Sequence, residues 1–557
     1  MTESPLLSVN ETILWLKVLI TAATLVVLYV RHRSASAPDA SARNHPAWTR
    51  WVVIAGVFLS FGAFHNLGEF RGGTFVHHGE MFHYYLGTKY FEELGYYELY
   101  NAVLVADAEE GNELARLPFY TDLRTYQNAP RSQALRDGER VRGLFSQARW
   151  REFKSDVAFF KEVTSTPEGT GAGFFLMDHG YNGSPVTTFV LGLITNAAAV
   201  TQLTLLASFD VLLVIAMALL VFRTFGLAMG ALFSVYFCVN ALNAYDYVSG
   251  SLLRYDWLLC IVAAVCGQAR GRYALSGCLL ALAAMLRVFP AVLFVGLGIV
   301  VIQRWRATRS VERSHVRFMI AAAVTGLALL VLPAVSLGSV VGPWKDFATN
   351  TALHSEGVYV NHLGFSGIAL FEPSHLSLER FVEKYQTART PDVVRHWQDV
   401  KEYELGKKKP LIYVVSGLVL LCLVAIVRKR EESEGLLWPL LLIYTLTFPA
   451  LYYYGFLCLF VLLFFRRERS EERFFPLAAL MTLNLGVLVA DSFALSPIVF
   501  YTWVNIGLFV CLSSILGFEL RSIFVAKAPA AAGPTPEPAR VAPRGSKGRK
   551  RRGKRRK

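Results

Sequence analysis

Long apolar runs separated by short polar breaks dominate the chain. They fall at 13–30, 51–67, 201–222, 225–242, 252–267, 274–287, 289–303, 318–342, 411–427, 436–450, 454–466, 474–491 and 499–518. An α-helix rises about 1.5 Å per residue and the hydrocarbon core of a bilayer is about 30 Å thick, so most of these runs suit membrane helices. The pattern predicts an all-α polytopic membrane protein with about 13 transmembrane segments. Two pairs of runs are short and nearly fused. The runs 274–287 and 289–303 meet at Arg287-Val-Phe-Pro290, and 436–450 and 454–466 turn at Pro449 to Gly455. A helix of about 14 residues reaches only about 21 Å. The apex of such a pair is expected inside protein or beside a water-filled cavity, where irregular backbone at membrane depth is tolerated.

Charge sets the expected orientation. Arginine-rich breaks occur at 31–50, 268–273, 304–317, 428–430 and 466–473, each on the same side of an alternating trace, whereas the first twelve residues hold two glutamates and no Lys or Arg. The positive-inside rule then places the N-terminus outside and the C-terminus in the cytoplasm of a multi-pass plasma (inner) membrane protein. Two large extracytoplasmic loops follow, 68–184 and 343–410. The first includes an amphipathic helix from Phe145 to Val163, with Phe145, Trp150, Phe153, Val157 and Phe160 on one face, and is long enough for a small folded lid. The chain thus divides into 1–50, an additional N-terminal transmembrane helix with a basic loop; 51–522, the multi-span membrane domain; and 523–557, a disordered basic tail.

Composition agrees, with 54% hydrophobic and 18% charged residues and a mean hydropathy of +0.39. Ten of the fourteen net positive charges lie between Arg544 and Lys557. That segment is expected to bind the anionic inner leaflet, and the charge does not describe a nucleic-acid-binding body. The seven cysteines all lie in apolar runs, where cysteine acts as a small hydrophobe; no metal-ligand set and no cofactor motif are visible.

The candidate chemistry begins in the first loop. There Glu80 precedes Tyr84-Tyr85 by four residues, a helical stretch ends at Gly95, and Leu99-Tyr100 follows. Further on come Tyr181-Asn-Gly-Ser-Pro185, Gly277 to Arg287-Val-Phe-Pro290, Trp344-x-x-Phe347, Asn361-His-Leu-Gly-Phe-Ser366-Gly367 and Pro449-Ala-Leu-Tyr452-Tyr-Tyr454. In this order, from about residue 50 to 520, the motifs resemble those of C-class glycosyltransferases, most of all the mannosyltransferase-like glycosyltransferase family 87. Glu80 stands where that family has an aspartate, and aromatics stand where it often has Trp and His. About 80 residues within the first loop, and the N-terminal span, are additional.

The resemblance implies transfer of a sugar from a polyprenyl-phosphate donor to a lipid or glycan acceptor at the outer face of a bacterial plasma membrane. Such a step inverts the anomeric carbon and needs one carboxylate base and a cation near the leaving phosphate. Glu80 is the expected base, with Asp178 the next candidate. Arg287, Tyr84, Tyr85, Asn361, His354 and His362 are the expected substrate-binding residues. Other polar residues have plainer readings. Asp210, inside an apolar run, would find a structural partner such as Asn240. Asp246, Arg254 and Asp256 would pair with one another, and Tyr452 to Tyr454 would belong to an interfacial aromatic belt. Two other classes remain open at this point. One is a lipid or glycan transporter with Asp210 and Arg287 on a midplane path. The other is a non-catalytic scaffold whose external loop binds a partner.

Overall fold

The structure, a computed structural model, describes residues 9–36, 48–166, 169–386, 392–430, 434–467 and 469–524. The basic tail beyond 524, part of the 31–50 break and the first eight residues lie outside them. Among the described residues the fold is nearly all α. The helices used below are α1 (Val9–Ala35), α2 (Trp48–Phe64), α3 (Leu99–Glu109), α4 (Gln147–Val163), α5 (Pro185–Ala197), α6 (Leu203–Phe225), α7 (Leu227–Val239), α8 (Asp256–Ala269), α9 (Tyr273–Leu286), α10 (Leu293–Thr308), α11 (Arg313–Val331), α12 (Val341–Glu356), α13 (Val393–Lys429), α14 (Leu440–Leu446), α15 (Cys458–Phe464), α16 (Ser470–Asp491) and α17 (Pro497–Phe524). Two short antiparallel pairs depart from the all-helical expectation: Phe119–Asp122 with Gln127–Pro130, and Ser165–Thr166 with Gly169–Thr170.

Among the described residues, seven helical stretches are long and apolar enough to cross a membrane: Asn10–Ala35, Val200–Phe225, Phe289–Thr308, Arg313–Leu337, Val393–Lys429, Ser470–Asp491 and Pro497–Phe524. Leu227–Val239 and Ala241–Val248 add one more if taken as a single span bent by 70°. Their outward faces are apolar: α11 alone exposes Ile320, Val324, Leu327 and Val331. Water does not tolerate such a stripe on a lone domain, whereas lipid does. The protein is therefore a multi-pass membrane protein. α1 is part of the bundle, packed along α16 and α2, with Thr21 Oγ1 accepting from Asn484 Nδ2 at 3.1 Å.

The 436–466 region departs from its expected pair of short membrane helices. Only seven residues, Leu440–Leu446, form the first helix, and a 3-10 turn, Leu451–Leu457, leads into α15. Trp438, Tyr454 and nearly every residue around them are buried, so this stretch is the hydrophobic centre of the bundle. A helix apolar all round is either a lipid-facing span or core, and composition alone does not separate them. Conversely, α5 is an apolar helix in a stretch left between two expected elements. Both its ends stay beside the first loop: Ala198 O accepts from Tyr85 Oη at 2.7 Å, and Tyr181, just before it, hydrogen-bonds Thr188 at 2.9 Å.

The 68–184 loop is a folded unit with its own core. Tyr85, Tyr90, Tyr100, Phe82, Phe153 and Phe160 are fully buried there, and α4 forms over the expected stretch. Buried charges tie its elements together. Asp107 takes Lys161 at 3.0 Å and the amides of Glu113 and Leu114; Glu98 takes Arg124 and Arg140; Asp156 takes Lys89 and Tyr90, each at 2.7 Å.

The chain breaks at Arg287 as expected, but only the first half is short: the second, Phe289–Thr308, is long enough to cross a membrane. α9 stops at Leu286, Arg287 is extended, and a 3-10 turn, Phe289–Val292, begins the return. Glycines let backbones approach: a Cβ on Gly277 would run into Phe318 O of α11, and one on Gly296 into Gly435 O and the Pro439 ring. Gly298, on the same helix as Gly296, has nothing within 4 Å of that position. Gly296→Ala should therefore cost about 1–3 kcal/mol by overpacking, and Gly298→Ala should cost nothing or stabilise. Thermal denaturation of the two variants in the same detergent checks this; equal midpoints would mean that the close approach at Gly296 does not matter.

Candidate functional site

The site is built where the first loop meets the bundle. His77 caps the short helix His78–Met81: its Nδ1 accepts the Glu80 amide at 3.3 Å, and its Nε2 donates to Tyr247 O at 3.1 Å. Burial, then the Arg71 charge, push His77 down to about 3, which leaves Nδ1 free to accept. The His77 amide donates to Gly250 O at 2.7 Å and Tyr245 Oη to Phe75 O at 2.6 Å, so residues 75–77 are pinned to the 245–250 turn. Gly250 has φ +74, and a Cβ there would strike Phe75 O. A single π-helical turn, Phe82–Leu86, follows and presents Tyr84; such turns re-aim side chains within a helix.

Asp210 of α6 fixes the facing residue. Its two carboxylate oxygens accept the amides of Ser251 at 3.2 Å and Arg254 at 2.7 Å, which shapes the turn that carries Arg254. Asn240, the partner expected for Asp210, instead donates to Tyr454 O. Arg254 Nη1 lies 3.3 Å from Glu80 Oε2, with side-chain exposures of 4% and 20%. The Arg254 guanidinium sits 4.6 Å from the Tyr84 ring and 5.8 Å from that of Tyr452. This corrects the expected local pairing of Arg254 with Asp246 and Asp256. The Asp246 carboxylate accepts from Asn66, and Asp256 accepts the amide of Trp257.

Arg287 completes the group. Its Nη1 donates to Tyr84 Oη at 3.3 Å, and Tyr84 Oη donates to Asn182 Oδ1 at 2.9 Å. The C-terminus of α9, just before Arg287, is held by α5: Ser184 Oγ donates to Met285 O at 2.6 Å and Thr187 Oγ1 to Leu286 O at 3.2 Å. Trp257, Phe289 and Tyr453 wall the same region, with the Phe289 and Tyr453 rings 5.3 Å apart. Glu80 Oε2, Arg254 Nη1 and Arg287 Nε are buried polar atoms without a hydrogen-bond partner. Beyond Met285, between α9, α10 and α11, runs an open apolar groove of about 320 Å³, lined among others by Ala281, Ala284, Phe294 and Phe318. Met285 belongs to that groove, and Arg287 is two residues further along the chain.

Other expected site residues fall elsewhere. Tyr85 is fully buried in the first-loop core, bonded to Ala198 O and Lys89 Nζ; it does not face Glu80, which corrects its assignment to substrate. Tyr452 to Tyr454 are no interfacial belt: Tyr452 faces Arg254, and Tyr454 is fully buried with Oη donating to Leu363 O. His354 and His362 do come together, but in a second cluster with His179 and Tyr359. The His179–His354 rings are 5.5 Å apart, Tyr359–His362 4.7 Å, and His354–His362 6.2 Å. Asp178 joins this cluster, with Oδ1 3.1 Å from His179 Nδ1 and its side chain 61% exposed. Burial pushes its carboxyl up, but the His179 hydrogen bond and the charges of His83 and His179 outweigh that and hold it below its usual range. Asn361 lies in the strand-like contact beside it, its O accepting from Leu451 N at 2.9 Å. Among the described residues no group of three or more His, Cys, Asp and Glu side chains could hold a metal ion. Arg254, Asn182 and His179 are the participants that sequence reasoning did not assign to a site.

Compared with protein-family models, with curated proteins and with solved structures, the chain matches none.

The histidine cluster carries a pH dependence. Burial, then the His179 charge, push His354 down to about 4, against the pull of Asp178, and burial with His354 and His179 pushes His362 lower still. An unfolded histidine takes its proton near about 6.5. Between about 6.5 and about 4 the unfolded chain binds more protons, so stability falls as pH drops through that window. The thermal midpoint should fall between about pH 7 and about pH 5 by less in His354→Gln than in the wild type. Identical falls would show that His354 takes up its proton over the same pH range in the folded as in the unfolded chain.

Proposed function

We propose that the protein is an integral membrane glycosyltransferase. In this reading it takes a sugar from a polyprenyl-phosphate donor and passes it to a lipid or glycan acceptor at the outer face of a plasma membrane. The observation that carries the reading is a set of three features: the Glu80 carboxylate beside Arg254, buried guanidinium nitrogens of Arg254 and Arg287 without hydrogen-bond partners, and an apolar groove lined up to Met285, two residues before Arg287 in the chain. An anionic head on an apolar tail suits that combination. The phosphate would accept from Arg287 in charge-assisted hydrogen bonds, and the isoprenoid would lie in the groove between α9 and α11. Glu80 would take the proton of the attacking hydroxyl. His354, His362 and Asn361 would flank the acceptor side, with Tyr359 and His179 as ring surfaces. No structural observation favours a midplane transport path: Asp210 is spent on two backbone amides rather than left to carry a proton.

The orientation belongs to the same proposal. About thirteen membrane segments, with the loops 68–184 and 343–410 outside and 304–317 inside, follow from the arginine-rich breaks. Ser132 and Ser310 are both exposed. Cysteines introduced at these positions, in a background without native cysteines, should react with an impermeant reagent in intact cells only at 132; reaction at 310 would invert the assignment.

Turnover tests the chemistry. With a panel of polyprenyl-phosphate sugars, Glu80→Gln should lower transfer by at least about 10²-fold, the low end for a lost base, and still bind donor. Glu80→Asp, with a shorter arm, should keep part of the activity. Arg287→Met should weaken donor binding and rate together. Near-normal transfer by Glu80→Gln would move the role of base to another carboxylate, Asp178 first, and the absence of transfer from every donor would reject the reading.

A further inference from the structure

Two cations and one carboxylate meet at Tyr84, and the arrangement is unsatisfied. Glu80 Oε2 and Arg254 Nη1 are 3.3 Å apart but out of hydrogen-bond alignment, and Arg287 Nε is buried without a partner. Nearby acids do not complete the set. Asp210 gives both oxygens to backbone amides, the Asp246 carboxylate accepts from Asn66, and Asp256 accepts the Trp257 amide. Arg254 is the more enclosed of the two arginines. Its guanidinium rests 4.6 Å from the Tyr84 ring, a polarisable surface over which a planar cation can turn without losing contact.

We propose that Arg254 changes partner during transfer, from Glu80 to the leaving phosphate; the step itself rests on the transferase reading. The acceptor oxygen forms its bond to the anomeric carbon while the bond from that carbon to the phosphate oxygen breaks. The electron pair stays on the phosphate, and the hydroxyl proton passes to Glu80. Before the step Glu80 and the phosphodiester each carry one negative charge. After it Glu80 is neutral and the phosphomonoester carries two. The negative charge facing Arg254 and Arg287 is therefore the same throughout and only moves. As Glu80 gains its proton its hold on Arg254 lapses, at the moment when the phosphate gains the charge that attracts a guanidinium. Asp256 keeps its state on both sides of the step and does not alter the balance. The resting ion pair thus keeps the second phosphate ligand out of the way, within a site that never has to charge up. A preorganised cation aimed at developing charge is the largest electrostatic aid to such a step.

This makes Arg254 a catalytic residue distinct from Arg287, and it predicts a binding signature that needs no turnover. Neutralising Glu80 leaves Arg254 without its counter-charge, so an isoprenoid phosphomonoester should bind more tightly to the variant than to the wild type. The probe is farnesyl phosphate, titrated calorimetrically into the purified full-length protein in detergent. Glu80→Gln should bind it at least about tenfold more tightly, the scale of close charge-pair coupling. The double variant Glu80→Gln with Arg254→Met should lose that gain. With Arg254→Lys in its place the gain should be partial, because an ammonium keeps the charge but not the fork; this variant also covers the case in which Arg254→Met does not fold. A Glu80→Gln affinity no greater than that of the wild type overturns the exchange. So does a gain that persists without Arg254, or the absence of binding to wild type and variants alike. If the gain depends on Arg254 but no sugar donor is consumed, the partner exchange stands and the transferase reading falls. If transfer depends on Glu80 but the gain is absent, the exchange alone is lost.

Discussion

A guanidinium withdrawn from water needs a counter-charge, and the way Arg254 obtains one organises the centre of this protein. Leaving it unpaired would cost several kcal/mol even after relaxation. Arg254 is placed from below by Asp210, which takes the amides of the turn, and it is met from above by Glu80, which the first loop brings in. The first loop reaches this point only because residues 75–77 are clamped to the 245–250 turn and His77 stays neutral as the cap of the helix that carries Glu80. One ion pair thus joins the loop domain to the bundle. Buried pairs of this kind add little net stability but strongly penalise wrong arrangements, which suits a contact that fixes a register between two units.

A second set of buried charges lies at the C-terminal end of α13. Arg430 and Arg467 meet Glu434, Glu472 and Glu519, with Arg430–Glu472 at 2.6 Å, Arg467–Glu434 at 2.7 Å and Glu519 fully buried. These residues come from α16, α17 and the connections around 430–434 and 467, so the lattice ties together the segments that enclose α14 and α15. The core segment 436–464 carries no charged side chain of its own to orient it. Its position is set by charge contacts at one end and by the backbone pairing of 361–363 with 449–451 at the other. Short broken helices are stable here because longer, charge-anchored helices surround them.

The sequence made the membrane character and most long helices legible, since apolar runs and arginine-rich breaks are properties of whole segments. It made Glu80, Tyr84 and Arg287 legible as a group through the order of short motifs, and the structure brings these three together around the Tyr84 ring. It did not reveal the partner of Arg254. Asp246 and Asp256 lie close in sequence and Glu80 far away, and nothing local says that Asn66 and the Trp257 amide occupy the nearer acids first. Nor could the Tyr84-Tyr85 pair be separated: successive residues on a helical turn point in different directions, and only packing decides which one meets the arginines. The burial of 436–464 was hidden for a similar reason, because a span facing lipid and a core helix share one composition.

The two polar clusters are joined by short covalent links, which bears on how they act. Asp178 lies in the histidine cluster, and Asn182, four residues on, accepts from Tyr84. His362 pairs with Ala450, and Tyr452, two residues on, faces Arg254. Four residues span at most about 14 Å even when fully extended, so the exposed carboxylate of Asp178 and the Tyr84 hydroxyl belong to one neighbourhood. Gly180, between them, donates its amide to Tyr100 Oη, which in turn meets His83 Nε2 at 2.8 Å. A ligand that displaces the 178–182 segment on the histidine side therefore moves Asn182 against Tyr84. Tyr84 is the one side chain that touches Arg287 by its hydroxyl and Arg254 by its ring. The 178–182 segment thus contributes a side chain to each polar cluster, Asp178 to the histidines and Asn182 to Tyr84.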